Sequence, residues 1–301
     1  MNLIVAALGV FALGYAALAG FVYFGQDRLV YFPQVGRDDV ATPRDAGLGY
    51  ERVILTTADG ERLDAWHVPV PDARGTVLVC HGNAGHIGHR LPLLVMFRRL
   101  GYAVFIFDYR GYGKSSGRPS EQGLDQDVRA AWEYLLARGV TPQRAVFYGE
   151  SLGAAVCTKL AATVHPAALV LASAFTSAPE LGGDIYPFLP VRLLARVRFN
   201  TLEALVKYPG AVFVAHSPDD EIVPYRHGRA LYDAASGPKE FLELQGGHND
   251  GFVFMRAEWT AALGRFLESH VGHQASDTRH QKSGTGKIPA VPDARRLIPD
   301  T

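Results

Sequence analysis

The chain has little cysteine and no surplus of charge. Two cysteines in 301 residues, Cys80 and Cys157, do not make a disulfide framework. One sits in a strand-like apolar run and the other in a helix-forming run, so both read as buried thiols that leave the compartment open. Thirty basic residues cancel thirty acidic ones. Nothing in that balance points to nucleic acid or to a strongly anionic partner. The zinc pattern H-E-x-x-H is missing, and His81, His86 and His89 share their loop with no carboxylate. No metal or organic cofactor is expected, and His81 reads as a residue that organises its loop by hydrogen bonding. No internal repeat is evident.

Charge is also missing from residues 3–24. As a helix this run reaches about 33 Å, enough for a hydrocarbon core of roughly 30 Å. A cleaved signal peptide would carry a basic n-region and a shorter apolar core. Only Met1 and Asn2 precede the run, and Phe21-Val22-Tyr23-Phe24 continues it past the cleavage-like Ala17-Leu18-Ala19. A retained single-pass anchor is therefore the expectation, with Tyr23 and Tyr31 as candidate interface residues. Asp27 and Arg28 lie side by side, so orientation is undetermined.

Among the features present, Gly149-Glu150-Ser151-Leu152-Gly153 carries the most chemistry. An apolar run, 145–148, leads into it, and a helix-forming run comes directly after it. A serine between two glycines at a strand-to-helix junction is a nucleophile elbow. Its hydroxyl would stand at a helix N-terminus, where negative charge is favoured. Gly113-Lys114-Ser115-Ser116-Gly117 matches the same pattern, but it has no strand before it, and Arg118-Pro119 rules out an uninterrupted helix after it. It reads as a loop. It is not a P-loop either, because Asp108 occupies the position of the required first glycine.

A serine needs a base, and the base needs an orienting acid. The run 211–215 ends in Asp219, Asp220 and Glu221, which compete for the acid role; Asp220 is assigned. The run 240–244 ends in Gly246-Gly247-His248, and His248 is the candidate base. His216 is the nearest rival, but it precedes the acids and breaks the acid-then-histidine order. The strand Thr76–Cys80 leads into His81-Gly82-Asn83, a glycine-containing loop suited to an oxyanion hole. The backbone N–H groups of Asn83 and Leu152 are the candidate donors.

Together these pieces resemble the α/β-hydrolase superfamily, on His81-Gly82-Asn83, Asp108-Tyr109-Arg110-Gly111-Tyr112-Gly113, the elbow, Asp219-Asp220-Glu221 and Gly247-His248. More narrowly the chain is similar to the membrane-anchored abhydrolase domain-containing branch, through its apolar N-terminus, Tyr31-Phe32-Pro33 and the insert Tyr186-Pro187-Phe188-Leu189-Pro190. In that family the Asp directly before Glu is the triad acid, which matches Asp220. Members include esterases, lipid hydrolases and protein depalmitoylases. The last carry N-terminal cysteines, and this chain has none before Cys80.

The expected fold is α/β, with an Asp-Gly hairpin near residues 53–66 opening a mostly parallel sheet covered on both faces. Helices are expected at 122–137 and 252–267. The expected division is a transmembrane anchor at 1–25, a linker at 26–49, a hydrolase domain at 50–271 and a disordered tail at 272–301. Residues 176–208 are expected to form a short lid, in which Tyr186, Phe188 and Leu189 are candidate substrate contacts, or else a helix packed against the sheet rim. The function implied is hydrolysis of esters or thioesters of acyl or lipid type, without cofactor. A peptidase of the same fold and a non-catalytic anchored binding protein are the alternatives.

Overall fold

Alternation along the central strands splits the core in two. Leu78 and Cys80 face one apolar cluster, while Val77 and Val79 face another; Phe147 and Val146 divide in the same way. Strands buried on both faces read as continuous apolar runs, so they need helices on each side. The computed structural model describes residues 3–34, 41–250 and 256–272, and its elements obey this logic.

An N-terminal helix, α1 (Leu3–Val30), precedes an antiparallel pair, β1 (Glu51–Thr56) and β2 (Arg62–Val68). The alternating units come next: β3 (Thr76–Cys80), α2 (Leu91–Arg99), β4 (Ala103–Phe107), α3 (Glu121–Ala137), β5 (Ala145–Glu150), α4 (Leu152–Val164) and β6 (Ala168–Ala172). Three short helices are then inserted: α5 (Ala178–Ile185), α6 (Val191–Leu194) and α7 (Thr201–Val206). The chain closes with β7 (Ala211–His216), α8 (Tyr225–Ala234), β8 (Lys239–Glu243) and α9 (Ala257–His270).

The eight strands form one sheet in the order β1-β2-β4-β3-β5-β6-β7-β8. From β4 onward along that order every pairing is parallel. One face is covered by α2 and α9 through Leu94, Phe97, Leu263 and Phe266. The other is covered by α3, α4, α7 and α8 through Leu124, Trp132, Val156, Leu205 and Leu231. The order reverses at β3, which has β4 on one side and β5 on the other. Open α/β sheets bind ligands at such a point, beyond the carboxyl ends of the strands.

Three expectations change. The apolar helix does not stop near residue 25 but runs to Val30, through part of the expected linker. Tyr31 is not an interface residue: it is buried, edge-on to Phe199 at 6.3 Å. The strand near 240–244 is half-exposed, because β8 has a neighbour on only one side. Of the expected helix at 252–267, Phe252 and Met255 lie outside the described residues, as does the tail beyond Gly272.

Candidate active site

Ser151 occupies the tight junction of β5 and α4 with φ 49° and ψ −116°. That is a strained conformation for a residue with a side chain. The neighbouring glycines make it possible. A Cβ at Gly149 would overlap the Ala154 backbone, and one at Gly153 would overlap the carbonyl oxygens of Cys80 and His81. The turn is locked into the sheet by the Ser151 N–H, which donates to Ala172 O at 2.9 Å.

His248, in the loop after β8, brings Nε2 to 3.2 Å from Ser151 Oγ. Its Nδ1 lies 2.8 Å from Asp220 Oδ2 and 2.9 Å from Oδ1. Both side chains are nearly buried. Of the three neighbouring acids, the fold brings the side chain of Asp220 to the His248 ring. Asp219 points to solvent, and Glu221 Oε2 accepts the His248 backbone N–H at 2.9 Å. Asp220 alone turns inward, because its Oδ1 accepts the N–H groups of Ile222 and Val223 at 3.0 and 2.7 Å.

Burial by itself pushes the Asp220 carboxyl up. Hydrogen bonds from His216 and His248, the His248 charge and the Val223 N–H outweigh it and hold Asp220 well below the usual carboxylate range. His216, the sequence rival, is a buried neighbour of this acid. Its Nε2 is 2.9 Å from Val223 O and 3.4 Å from Asp220 Oδ2.

The register of β3 and β5 pairs Cys80 with Gly149, which sets the 81–85 loop beside the elbow. Asn83 and Leu152 line the same cavity as Ser151 and His248. Leu152 opens α4, so its N–H belongs to the first turn and has no intrahelical acceptor. The Asn83 side chain is held by the Val30–Phe32 segment and by Tyr112. Its Nδ2 donates to Val30 O at 2.5 Å, and its Oδ1 accepts from Tyr112 Oη at 2.7 Å and Phe32 N at 3.3 Å. His81 holds the loop through Nδ1, 2.7 Å from Gly82 O.

Sequence reasoning passed over Glu150. It is fully buried, and its Oε1 accepts the Gly82 N–H at 2.8 Å and the Arg90 Nε–H at 2.6 Å. The signal was a carboxylate ending an otherwise apolar strand. The second serine motif is structural: buried Ser115 donates to Asp108 O at 2.8 Å and accepts the Asp64 N–H at 2.9 Å.

Ser151 opens onto a cavity of about 870 Å³, within the range of small-molecule sites. Tyr186, Phe188 and Leu189 all line it. So do Leu18, Phe21, Val22, Leu29 and Val30 of α1, which were expected in the anchor and the linker with no part in the site. That helix is long and apolar enough to cross a membrane, with a mean hydropathy of 2.2 over its apolar 18-residue stretch. Among the described residues, no group of three or more His, Cys, Asp or Glu side chains could hold a metal ion.

Residues 71–206 match the family described as Serine aminopeptidase, S33. The chain is 33% identical over 304 residues to the Alpha/beta hydrolase domain-containing protein WAV2 of Arabidopsis thaliana, covering 92% of this chain and 96% of that one. It is 40% identical over 265 residues to the Mycobacterium tuberculosis protein Rv2307c, covering 86% and 93%. The Pyrococcus furiosus esterase Pf2001 shares the fold with a TM-score of 0.66 at 22% identity, over 81% of this chain and 100% of that one. The chain belongs to the α/β-hydrolase superfamily.

Proposed function

We propose that this α/β hydrolase is a membrane-anchored serine enzyme that cleaves acyl esters or thioesters. The observation that carries the reading is the chain of contacts from Asp220 through His248 to Ser151, at the head of an apolar cavity. Ser151 Oγ attacks the acyl carbonyl, and His248 Nε2 takes its proton. Asp220 holds the imidazole in the tautomer with its proton on Nδ1 and stabilises the imidazolium. The N–H groups of Asn83 and Leu152 receive the oxyanion. The alcohol or thiol leaves with the proton from His248. Water then attacks the acyl-enzyme, gives its proton to His248, and the acid departs as Ser151 regains its proton.

The family match gives weight to a peptidase reading, and the cavity weighs against an aminopeptidase. Binding a free α-ammonium group calls for an anion, and no Asp or Glu lines the cavity among the described residues. Its walls are dominated by Leu, Val, Ile and Phe, which suit a hydrocarbon chain. Anchoring rests on the charge-free run 3–24, and the division into anchor, linker, hydrolase domain and lid builds on it.

The test is Ser151→Ala assayed on p-nitrophenyl butyrate. Turnover should fall by about 10⁴ or more with unchanged thermal melting. Retained turnover would remove the nucleophile assignment. Labelling of the parent protein, but not the variant, by a fluorophosphonate separates an enzyme from an inert scaffold.

A further inference from the structure

The N-terminal helix does more than precede the domain: it is docked onto the lid. Tyr15 Oη donates to Phe188 O at 3.0 Å. Gln26 Nε2 donates to Leu194 O at 2.7 Å, and Gln26 Oε1 accepts the Arg196 N–H at 2.7 Å. Gln26 is the one buried residue of a helix whose other residues are exposed or half-buried. A polar side chain with both amide ends satisfied fixes rotation and height, which greasy contact alone does not.

Two further observations concern the space between helix and lid. Leu18 and Phe21 line the cavity, yet they are 42% and 70% exposed. The cavity is therefore open to the outside beside α1. The lid surface flanking this opening is apolar as well: Ile185, Tyr186, Phe188 and Leu193 are all exposed. Exposed apolar side chains gathered in this way mark a surface that meets something other than water.

Depth along the helix identifies that neighbour. The charge-free run ends at Phe24, with Asp27 and Arg28 just beyond. Tyr15 lies nine residues earlier, about 13 Å along the axis. A span placed by its charge-free run would thus carry the lid tip at Phe188 well below the polar boundary, because Tyr15 holds it there. The opening beside Leu18 and Phe21 lies within that depth. Ser151 and His248 line the same cavity with Asn83, Arg90 and Asn249, and Asn83 is bonded to Val30, fifteen residues along α1 from Tyr15.

We propose that α1 and the lid form a side-opening acyl channel. Through it a lipid resident in the bilayer slides its hydrocarbon chain from the membrane interior to Ser151, without passing through water. The proposal rests on the hydrolase reading above and names its substrate class: long-chain acyl esters whose chain remains in the bilayer. The apolar chain fills the space between α1 and the lid, and the scissile carbonyl stops at the elbow.

The experiment uses the full chain in phosphatidylcholine nanodiscs and a hexadecyl fluorophosphonate carrying a diazirine midway along its chain. Ser151 displaces fluoride, a phosphorus–oxygen bond forms, and irradiation then crosslinks whatever surrounds the alkyl chain. Crosslinks on peptides containing Leu18, Phe21 or Val22 and on the 185–197 segment are expected. Labelled Ser151 with no crosslink to α1 overturns the channel and leaves the hydrolase reading standing. Failure to label Ser151 in a protein that still hydrolyses esters overturns both.

A second measurement compares Val22→Trp with the parent protein on bilayer-held p-nitrophenyl palmitate and water-soluble p-nitrophenyl butyrate. The long-to-short ratio of kcat/KM should drop at least tenfold, because the indole narrows the channel. An unchanged ratio refutes the proposal.

Discussion

Glu150 and Gly82 are joined by a 2.8 Å hydrogen bond across 68 residues, from the loop's N–H to the buried carboxylate that precedes Ser151. The elbow and the 81–85 loop are therefore joined through one side chain. Arg90 supplies the compensating charge, with Nε 2.6 Å from the same oxygen. A buried carboxylate is tolerable only with such partners.

Glu150→Leu keeps most of the bulk and removes both the acceptor for Gly82 and the charge. It should lower kcat on p-nitrophenyl butyrate by about 10- to 100-fold, with a smaller change in KM, because the loop loses its register toward the developing oxyanion. Melting should fall by an amount corresponding to about 1–3 kcal/mol, since Arg90 is left without its counter-charge. Unchanged kcat would show that Gly82 holds its place without Glu150.

Asp219 and Asp220 are adjacent but differently placed. Asp220→Asn should reduce turnover by about 10⁴, as the amide favours the wrong imidazole tautomer. Asp219→Asn should stay within a factor of about three, because its side chain points to solvent. Equal losses in steady-state assays of the two variants would contradict the geometry.

The depressed Asp220 carboxyl also links folding to pH. Unfolded, an aspartate titrates near 3.9; folded, this one titrates lower. The unfolded chain binds the proton first, so the stability contributed by Asp220 is complete above about pH 4. It is lost as pH falls from there toward the folded value. The melting-temperature gap between the parent protein and Asp220→Asn should therefore narrow from pH 6 to pH 3. A constant gap across that interval would mean that Asp220 carries no such linkage.

Cys157 lies directly behind Gly149 in the elbow and is fully buried. Burial pushes its thiol well above the ordinary range, and Cys80 beside it adds to the effect. Thiolates, not thiols, react. Iodoacetamide at pH 8 should leave both cysteines unmodified in the native protein and alkylate both in guanidinium, as read by intact mass. Rapid native alkylation would show that the elbow opens.

Much of the fold was legible because its central strands, β3 to β7, are buried on both faces and stand out as largely apolar runs of five or six residues. Ser151 and His248 were legible because glycines surround them where strands end. The acid was less so: Asp219, Asp220 and Glu221 differ in direction, and direction is decided by the N–H groups of Ile222 and Val223 closing the loop. The docking of α1 on the lid was not legible. Gln26 reads locally as the first polar residue after an apolar run, and its partners lie 168 and 170 residues away. Glu150 was hidden by the motif itself, which permits any residue before the serine.

The bond from Asn83 to the Val30 carbonyl has a practical consequence. A shortened protein that begins at the hydrolase domain would keep the sheet, the elbow and the imidazole, and it would be easier to handle in water. It would also lack the backbone groups at Val30 and Phe32 that clamp the Asn83 amide, leaving Tyr112 to hold it. Slow turnover of a short water-soluble ester in such a preparation would then report a loosened 81–85 loop, a defect separate from the loss of the cavity wall that α1 supplies.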